Sequence, residues 1–187
     1  MPATQPLPPL FLVGARACGK SSTGKLAAVR LKLAFVDTDA FICTSSRKTI
    51  DEIVTLEGWQ AFRAQESAAL AACTAPNTII ATGGGMVLEQ KNRLFMRAAG
   101  LVVYLAVPAS VLGNRLCAAA EAGLRPSLTG LPPHEEIAQI LSEREALYRG
   151  VAHHIVDGTL SPALVAEKLA QLLVKGQTTN TKTDSRG

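Results

Sequence analysis

The sequence is poor in aromatic residues, has no closely spaced cysteines and contains no apolar segment long enough to span a membrane. Aromatic residues make up 4% of the 187 residues, and Trp59 is the single tryptophan. The four cysteines are widely separated, with no CxxC pair and no histidine at metal-ligand spacing, which favours reduced thiols in a cytoplasmic protein. The longest uncharged run near the middle, residues 101–114, is shorter than a transmembrane helix and contains Pro108. No basic residue precedes Arg16, so no signal peptide is predicted.

The formal net charge of +4 is modest, and part of it lies in the polar segment 175–187. The basic residues elsewhere are dispersed singly rather than grouped into a stripe, which argues against a nucleic-acid-binding surface. Two interpretations remain open for them: convergence on anionic ligands inside a cleft, or separate solvated charges. The residues concerned are Arg16, Lys20, Arg63, Arg115, Arg125 and Arg144.

Short apolar runs alternate with helical patterns, which predicts an α/β fold with a five-stranded parallel sheet flanked by helices. The predicted strands are residues 10–13, 34–36, 78–81, 101–106 and 154–156, and the predicted helices are 20–31, 49–57, 59–73, 90–98, 108–120, 133–148 and 162–173. A single domain is expected over 9–174, between a flexible leader at 1–8 and a disordered tail at 175–187. In such a sheet the ligand site lies beyond the carboxyl ends of the strands.

One segment carries a specific phosphate-binding pattern. Residues Gly14 to Ser21 read Gly-Ala-Arg-Ala-Cys-Gly-Lys-Ser, which fits GxxxxGK[ST], with a predicted strand before it and a predicted helix after it. Backbone N–H groups of such a loop and the helix N-terminus face a phosphate. Lys20 then reaches the β- and γ-phosphates, and the Ser21 hydroxyl is placed to ligate Mg²⁺. The sequence therefore predicts a site for a nucleoside triphosphate.

Two carboxylates follow the second predicted strand. In Asp37-Thr38-Asp39, one aspartate is suited to hold Mg²⁺ through water and the other to accept a proton from an attacking hydroxyl. Asp is also favoured as a helix N-cap, which accounts for one of the two residues but not for both.

Three further features fall where a second substrate would lie. Phe62, Arg63 and Glu66 share one helical face, although Arg63 with Glu66 alone fits a surface ion pair equally well. Three successive glycines, Gly83–Gly85, follow a strand and favour close approach of a ligand to the backbone. Arg144 lies on a charged helix and by itself would pass for a solvated residue.

Taken together, these residues resemble the shikimate kinase family. The resemblance covers roughly Leu10 to Leu173. It consists, in order, of the phosphate loop, Asp37-Thr38-Asp39, Phe62-Arg63-x-x-Glu66, the triple glycine, Arg125-Pro126 and Arg144-x-x-Leu147-Tyr148. It implies a P-loop fold like that of nucleoside monophosphate kinases, with a substrate-binding insert at about 38–66 and a lid at about 117–133. Members transfer a phosphoryl group from ATP to the 3-hydroxyl of shikimate with Mg²⁺, in aromatic amino-acid biosynthesis.

The resemblance also assigns roles residue by residue. It implies catalytic roles for Lys20, Asp39 and Arg16, and Mg²⁺ ligation by Ser21 and Asp37. The ATP-binding residues would be Gly14, Ala15, Arg16, Ala17, Cys18, Gly19, Lys20, Ser21, Ser22, Arg115 and Arg125. The shikimate-binding residues would be Asp39, Arg63, Gly83, Gly84, Gly85 and Arg144. The protein is expected to be a monomer that binds no nucleic acid or membrane. Ser21-Ser22 replaces a common Thr-Thr pair, but the hydroxyls are retained.

Three other functions share some of these features. A gluconate-kinase-like enzyme shares the phosphate loop and fold, but the set of Asp39, Arg63, triple glycine and Arg144 argues against it. A guanine-nucleotide switch would need an Asn-Lys-x-Asp motif, which the sequence lacks. A catalytically inactive binding module would be expected to have lost Lys20, Asp39 or Arg144, and all three are present.

Overall fold

The computed structural model describes residues 6–121 and 131–180, and it confirms the predicted sheet. The five strands are β1 (Leu10–Val13), β2 (Ala34–Asp37), β3 (Thr78–Ala81), β4 (Leu101–Ala106) and β5 (His154–Asp157). All strand pairs are parallel, in the order β2-β3-β1-β4-β5. Parallel pairing requires a crossover after each strand, and the helices supply it.

Seven helices accompany the sheet in the described residues. They are α1 (Lys20–Leu31), α2 (Thr38–Ser46), α3 (Ile50–Cys73), α4 (Gln90–Ala99), α5 (Ala109–Glu121), α6 (Pro133–Val151) and α7 (Pro162–Asn180), with a 3-10 turn at Met86–Leu88. The predicted lid falls largely on residues 122–130, outside the described residues, and Arg125 lies there.

The structure differs from the sequence prediction at α2 and α7. Helix α2 was not predicted, because residues 38–46 include two threonines and two serines, which favour helices weakly. The interruption predicted at Gly58 is confirmed: α3 consists of two helical segments that meet at Gly58, whose backbone is not helical and has a φ of 84°. Helix α7 continues to Asn180 instead of ending at Leu173, so part of the expected disordered tail is helical. Gly176 does not stop it, since one glycine inside a helix costs only about 1 kcal/mol.

The core lies on both faces of the sheet. Leu10 and Leu12 of β1 point into one apolar cluster, shared with α1, α5 and α7, while Phe11 and Val13 point into a second, shared with α4 and α6. Burial on both faces explains the uninterrupted apolar sequences of β1 and β4. A smaller cluster joins α2 to α3 through Ile42, Ile53, Phe62 and Ala69.

None of the helices in the described residues is both long and apolar enough to cross a lipid bilayer. The carboxyl ends of β1, β2 and β3 lead directly into the phosphate loop, the Asp37-Thr38-Asp39 segment and the triple glycine. The sheet therefore brings three of the predicted motifs to one edge.

Candidate active site

The phosphate loop, Gly14–Ser21, connects β1 to α1 and depends on glycine at its first residue. Gly14 has a φ of 145°, and a methyl group built on it would lie 2.9 Å from Cys18 Sγ and 3.0 Å from the backbone oxygen of Leu105. Gly19 also has positive φ, 104°, and is the N-cap of α1 without a side-chain hydrogen bond to the first turn. The N–H groups at the start of α1 are thus left for a bound anion.

Lys20 places a cation at this loop. Its Nζ donates to the carbonyl oxygens of Gly14 and Ala15, each at 2.8 Å, and lies 3.6 Å from Cys18 Sγ. The side chain is buried, with 9% exposure. A charge held in this low-dielectric position acts on a phosphate more strongly than an exposed one would.

Ser21 and Asp37 bring two oxygen ligands together. The Ser21 hydroxyl donates to Asp37 Oδ2 at 2.5 Å, and Asp37 Oδ1 accepts from the backbone N–H groups of Asp39 and Ala40 as the N-cap of α2. Asp37 is therefore a helix N-cap, as one interpretation of the sequence held. Asp39 is not an N-cap. Among the described residues, no cluster of three or more acidic, histidine or cysteine side chains could hold a metal. Ser21 and Asp37 nevertheless fit Mg²⁺, which takes hard oxygen ligands and needs few from the protein.

Asp39 lies in the first turn of α2, beside the triple glycine. A methyl group built on Gly83 would lie 2.5 Å from Asp39 Oδ1 and 2.9 Å from Glu66 Oε1. Burial raises the pKa of Asp39 above its ordinary value, and the neighbouring Asp37 adds to this. Lys20, Arg16 and Arg63 act in the opposite direction. Asp39 is thus a carboxylate surrounded by three cations, with a greater affinity for a proton than an exposed aspartate has.

Arg63 and Glu66 form a buried ion pair on α3. Arg63 Nη1 donates to Glu66 Oε2, and the exposed fractions of the two side chains are 17% and 1%. The alternative of a surface ion pair is therefore wrong. Burial raises the pKa of Glu66, while Arg63 opposes the shift. The Arg63 guanidinium also packs over the rings of Trp59 and Phe62, with its Cζ 5.1 Å and 5.4 Å from the ring centres.

The triple glycine, Gly83–Gly85, runs between these side chains and helix α6. Gly83 N–H donates to the Thr38 hydroxyl at 2.9 Å, and Arg144 Nη1 donates to the carbonyl oxygen of Gly84 at 3.3 Å. A methyl group on Gly85 would overlap the Arg63 guanidinium, so a side chain there would displace Arg63 from its present position. Among the described residues, Arg144 Nε is the one buried side-chain polar atom without a hydrogen-bond partner. A buried donor left unpaired points to a ligand acceptor.

Two other arginines reach the phosphate loop. Arg115, on α5, donates to the backbone oxygens of Ala17 and Gly158, both at 3.1 Å. It therefore braces the loop against the segment after β5. Arg16, in the loop, lies 3.8 Å from the Glu136 carboxylate at the start of α6. Ser22 is exposed on the first turn of α1.

The predicted residues thus form two adjoining groups. The phosphate loop, Asp37 and Arg115 lie on one side. We call the other group the acceptor site and define it by Asp39, Arg63, Glu66, Gly83–Gly85 and Arg144. Electrostatic coupling of Asp39 to Lys20 and Arg63 connects the two groups. Glu66 was identified in the sequence only as a partner of Arg63; its burial in the acceptor site depends on the fold.

Comparison with known proteins identifies the family. The family model described as shikimate kinase matches residues 16–174. A curated relative named shikimate kinase 2, from Yersinia pestis (strain Pestoides F), is 52% identical over 164 residues, covering 88% of this chain and 94% of the relative.

Solved structures point to the same family. The shikimate kinase from Acinetobacter baumannii in complex with shikimate superposes with a TM-score of 0.82 at 31% identity, covering 91% of this chain and 94% of that one. A gluconokinase from Sinorhizobium meliloti superposes with a TM-score of 0.57 at 16% identity, covering 97% and 99% of the two chains, and shows the shared fold alone. The family predicted from the motifs is confirmed: the chain belongs to the shikimate kinase family.

Proposed function

We propose that this chain phosphorylates the 3-hydroxyl of shikimate with ATP, using the phosphate loop for the donor and the acceptor site for the carboxylated alcohol. The observation that carries this assignment is the convergence of Arg63, Arg144 and Asp39 on the triple glycine. Two guanidinium groups can donate charge-assisted hydrogen bonds to a carboxylate, and a buried aspartate can accept a proton from a hydroxyl.

On the donor side, the N–H groups of the phosphate loop and of the α1 N-terminus bind the β- and γ-phosphates of ATP. The Lys20 ammonium exchanges its bonds to the Gly14 and Ala15 carbonyls for phosphate oxygens. There it neutralises charge that builds on the transferring phosphoryl group and on the leaving ADP.

Ser21 and Asp37 are the residues that would hold Mg²⁺. When bound there with the nucleotide, the ion would neutralise the phosphate oxygens and orient the γ-phosphate. The Ser21 hydroxyl donates its hydrogen to Asp37 Oδ2 at 2.5 Å, and its oxygen lone pairs remain available to the ion.

On the acceptor side, Arg63 and Arg144 bind the shikimate carboxylate, and the buried Arg144 Nε gains an acceptor. Glu66 holds the Arg63 guanidinium in place through its buried ion pair. Asp39 accepts the proton of the 3-hydroxyl as the hydroxyl oxygen forms its bond to the γ-phosphorus. The bond from that phosphorus to the bridging oxygen of ADP breaks in the same displacement.

Several predicted roles extend this proposal beyond the described geometry. Arg115 donates to two carbonyl oxygens through the edge of its guanidinium group. The flat face of that group would contact adenine. Arg125, outside the described residues, would close over ATP from the lid. Arg16 would stabilise the transferring phosphoryl group beside Lys20. We further propose that the enzyme acts as a cytoplasmic monomer.

The substrate assignment is tested by comparing two acceptors. With ATP and Mg²⁺, a coupled assay of ADP formation is expected to show turnover with shikimate and none above background with gluconate. Gluconate is a carboxylated alcohol too, but it is a flexible open chain that does not match fixed guanidinium groups. Comparable turnover with gluconate would overturn the assignment.

A second expected result uses the single tryptophan. Trp59 is 46% exposed, and its ring lies beside the Arg63 guanidinium, 5.1 Å from Cζ. Carboxylate binding to Arg63 should therefore give a saturable change in Trp59 emission without ATP. Arg63→Ala should weaken shikimate binding by about 1.5–3 kcal/mol, roughly ten- to a hundredfold in Kd, through loss of charge-assisted hydrogen bonds. Arg63→Lys should also bind less tightly, because an ammonium lacks the planar fork.

The matched control is Arg30→Ala, which removes an exposed arginine from α1. Its Trp59 emission should change with shikimate concentration as that of the wild type does. Calorimetry gives the Kd independently of the emission change. An Arg63→Ala protein that binds shikimate with wild-type affinity would place the carboxylate elsewhere.

A further inference from the structure

Tyr148, on the last turns of α6, makes a hydrogen bond that the proposed mechanism does not use. Its side chain is fully buried, and its hydroxyl donates to the carbonyl oxygen of Gly84 at 2.6 Å. Arg144, one helical turn earlier, donates to the same oxygen at 3.3 Å. The Gly84 carbonyl is therefore directed toward α6 by two donors, of which Tyr148 is the nearer.

This bond determines the direction of a neighbouring N–H group. The chain has no cis peptide bonds in its described part, so the Gly84 carbonyl and the Gly85 N–H point to opposite sides of one planar unit. With the carbonyl turned toward α6, the Gly85 N–H points toward the opposite side, away from α6. The Gly85 Cα approaches the Arg63 guanidinium closely. A carboxylated alcohol bound by Arg63 therefore lies close to this peptide unit.

The N–H groups of Gly84 and Gly85 are also available to donate hydrogen bonds to a ligand. Gly83 N–H donates to Thr38, and Met86 N–H donates to the carbonyl oxygen of Gly83 at 3.1 Å. Within the part of the chain that the structure describes, no protein acceptor receives the N–H of Gly84 or Gly85. Glycine peptides rotate easily, so unsatisfied N–H groups need an external constraint to stay aimed at a substrate.

The Tyr148 ring is itself held firmly. It stacks on Tyr104 of β4, with ring centres 5.3 Å apart and an angle of 19° between the planes. Burial raises the pKa of Tyr148 above its ordinary value, so the hydroxyl keeps the proton that it donates. A rigid, permanently protonated phenol is a suitable constraint for one carbonyl group.

We propose that Tyr148 is a positioning residue of the acceptor site, whose hydroxyl holds the Gly84–Gly85 peptide with its N–H toward the bound carboxylated alcohol. The inference rests on the proposed function, because it assumes that shikimate occupies the acceptor site. It assigns Tyr148 no contact with ATP and none with the reacting atoms.

The test is Tyr148→Phe, with Tyr104→Phe as its matched control. Each change removes one phenolic oxygen and keeps the stacked rings, but only the Tyr148 hydroxyl bonds to Gly84. Tyr148→Phe should raise the KM and Kd for shikimate about tenfold, the usual effect of losing one buried hydrogen bond. The KM for ATP should stay unchanged. Tyr104→Phe should leave both KM values at the wild-type level.

Steady-state kinetics, calorimetric shikimate binding and thermal melting separate the outcomes. A selective loss of shikimate affinity in Tyr148→Phe, with a melting temperature like that of Tyr104→Phe, supports the inference. Equal loss for ATP and shikimate, or no loss for either, overturns it, because both results assign Tyr148 to packing alone. Wild-type enzyme that does not phosphorylate shikimate would instead overturn the proposed function.

Discussion

Lys20→Ala is expected to lower kcat by about a hundredfold or more, the usual effect of removing an electrostatic group that faces transition-state charge. The Lys20 ammonium is buried at the N-terminus of α1 and lies within 2.8 Å of two carbonyl oxygens of the phosphate loop. Water entering the site of the deleted side chain would not replace a fixed positive charge. The measurement is kcat for shikimate phosphorylation at saturating concentrations of both substrates.

Lys25→Ala is the matched control, since Lys25 is exposed on the same helix and contacts the ring of Phe35 rather than the phosphate loop. It should retain wild-type kcat. Circular dichroism and thermal melting are needed for both variants, because removing Lys20 takes one hydrogen-bond donor away from each of two loop carbonyls. A folded Lys20→Ala enzyme with near wild-type turnover would exclude the proposed role.

Asp39→Asn should lower kcat by roughly 10²–10⁴, the range typical of a lost general base. The substitution keeps the size of the side chain but removes both the charge and the ability to accept the hydroxyl proton. Burial, with some help from Asp37, raises the pKa of Asp39, which makes the carboxylate a better proton acceptor than an exposed aspartate. Shikimate binding, followed by Trp59 emission, should weaken far less than kcat falls.

The control here is Asp51→Asn, which alters an exposed aspartate in the first turn of α3. Its turnover should match the wild type. If Asp39→Asn retained most of its kcat and lost mainly shikimate affinity, Asp39 would be a binding residue, and the proton would leave the hydroxyl by another route.

The parts of the site that lie in contiguous motifs could be predicted from the sequence. The phosphate loop is one such motif, because its glycines, lysine and serine act within a single turn between a strand and a helix. The five-stranded parallel sheet followed from alternating apolar runs, since strands buried on both faces carry few polar residues. These predictions are confirmed for the fold and the family. The individual roles of the site residues stay predictions.

Other features depend on distances that a sequence does not contain. The pattern at Arg63 and Glu66 fits an exposed pair as well as a buried one, and only packing against Phe62 and the triple glycine decides between them. Tyr148 lies in a recognisable motif, but its bond to Gly84 spans 64 positions in the chain. Helix α2 was missed because the weak helix propensity of its residues obscured it, although its Asp37 N-cap could be recognised in the sequence.

The small apolar cluster between α2 and α3 has a consequence for local opening of the chain. Ile42, Ile53, Phe62 and Ala69 are its fully buried members, whereas the clusters on the two faces of the sheet are much larger. Segments with few buried contacts open at a lower free energy than the whole molecule unfolds. Amide hydrogens of α2 and the first turns of α3 should therefore exchange with solvent earlier than those of β1 and β4. The segment that we propose to contact the acceptor can thus loosen and re-form while the sheet keeps the phosphate loop in place.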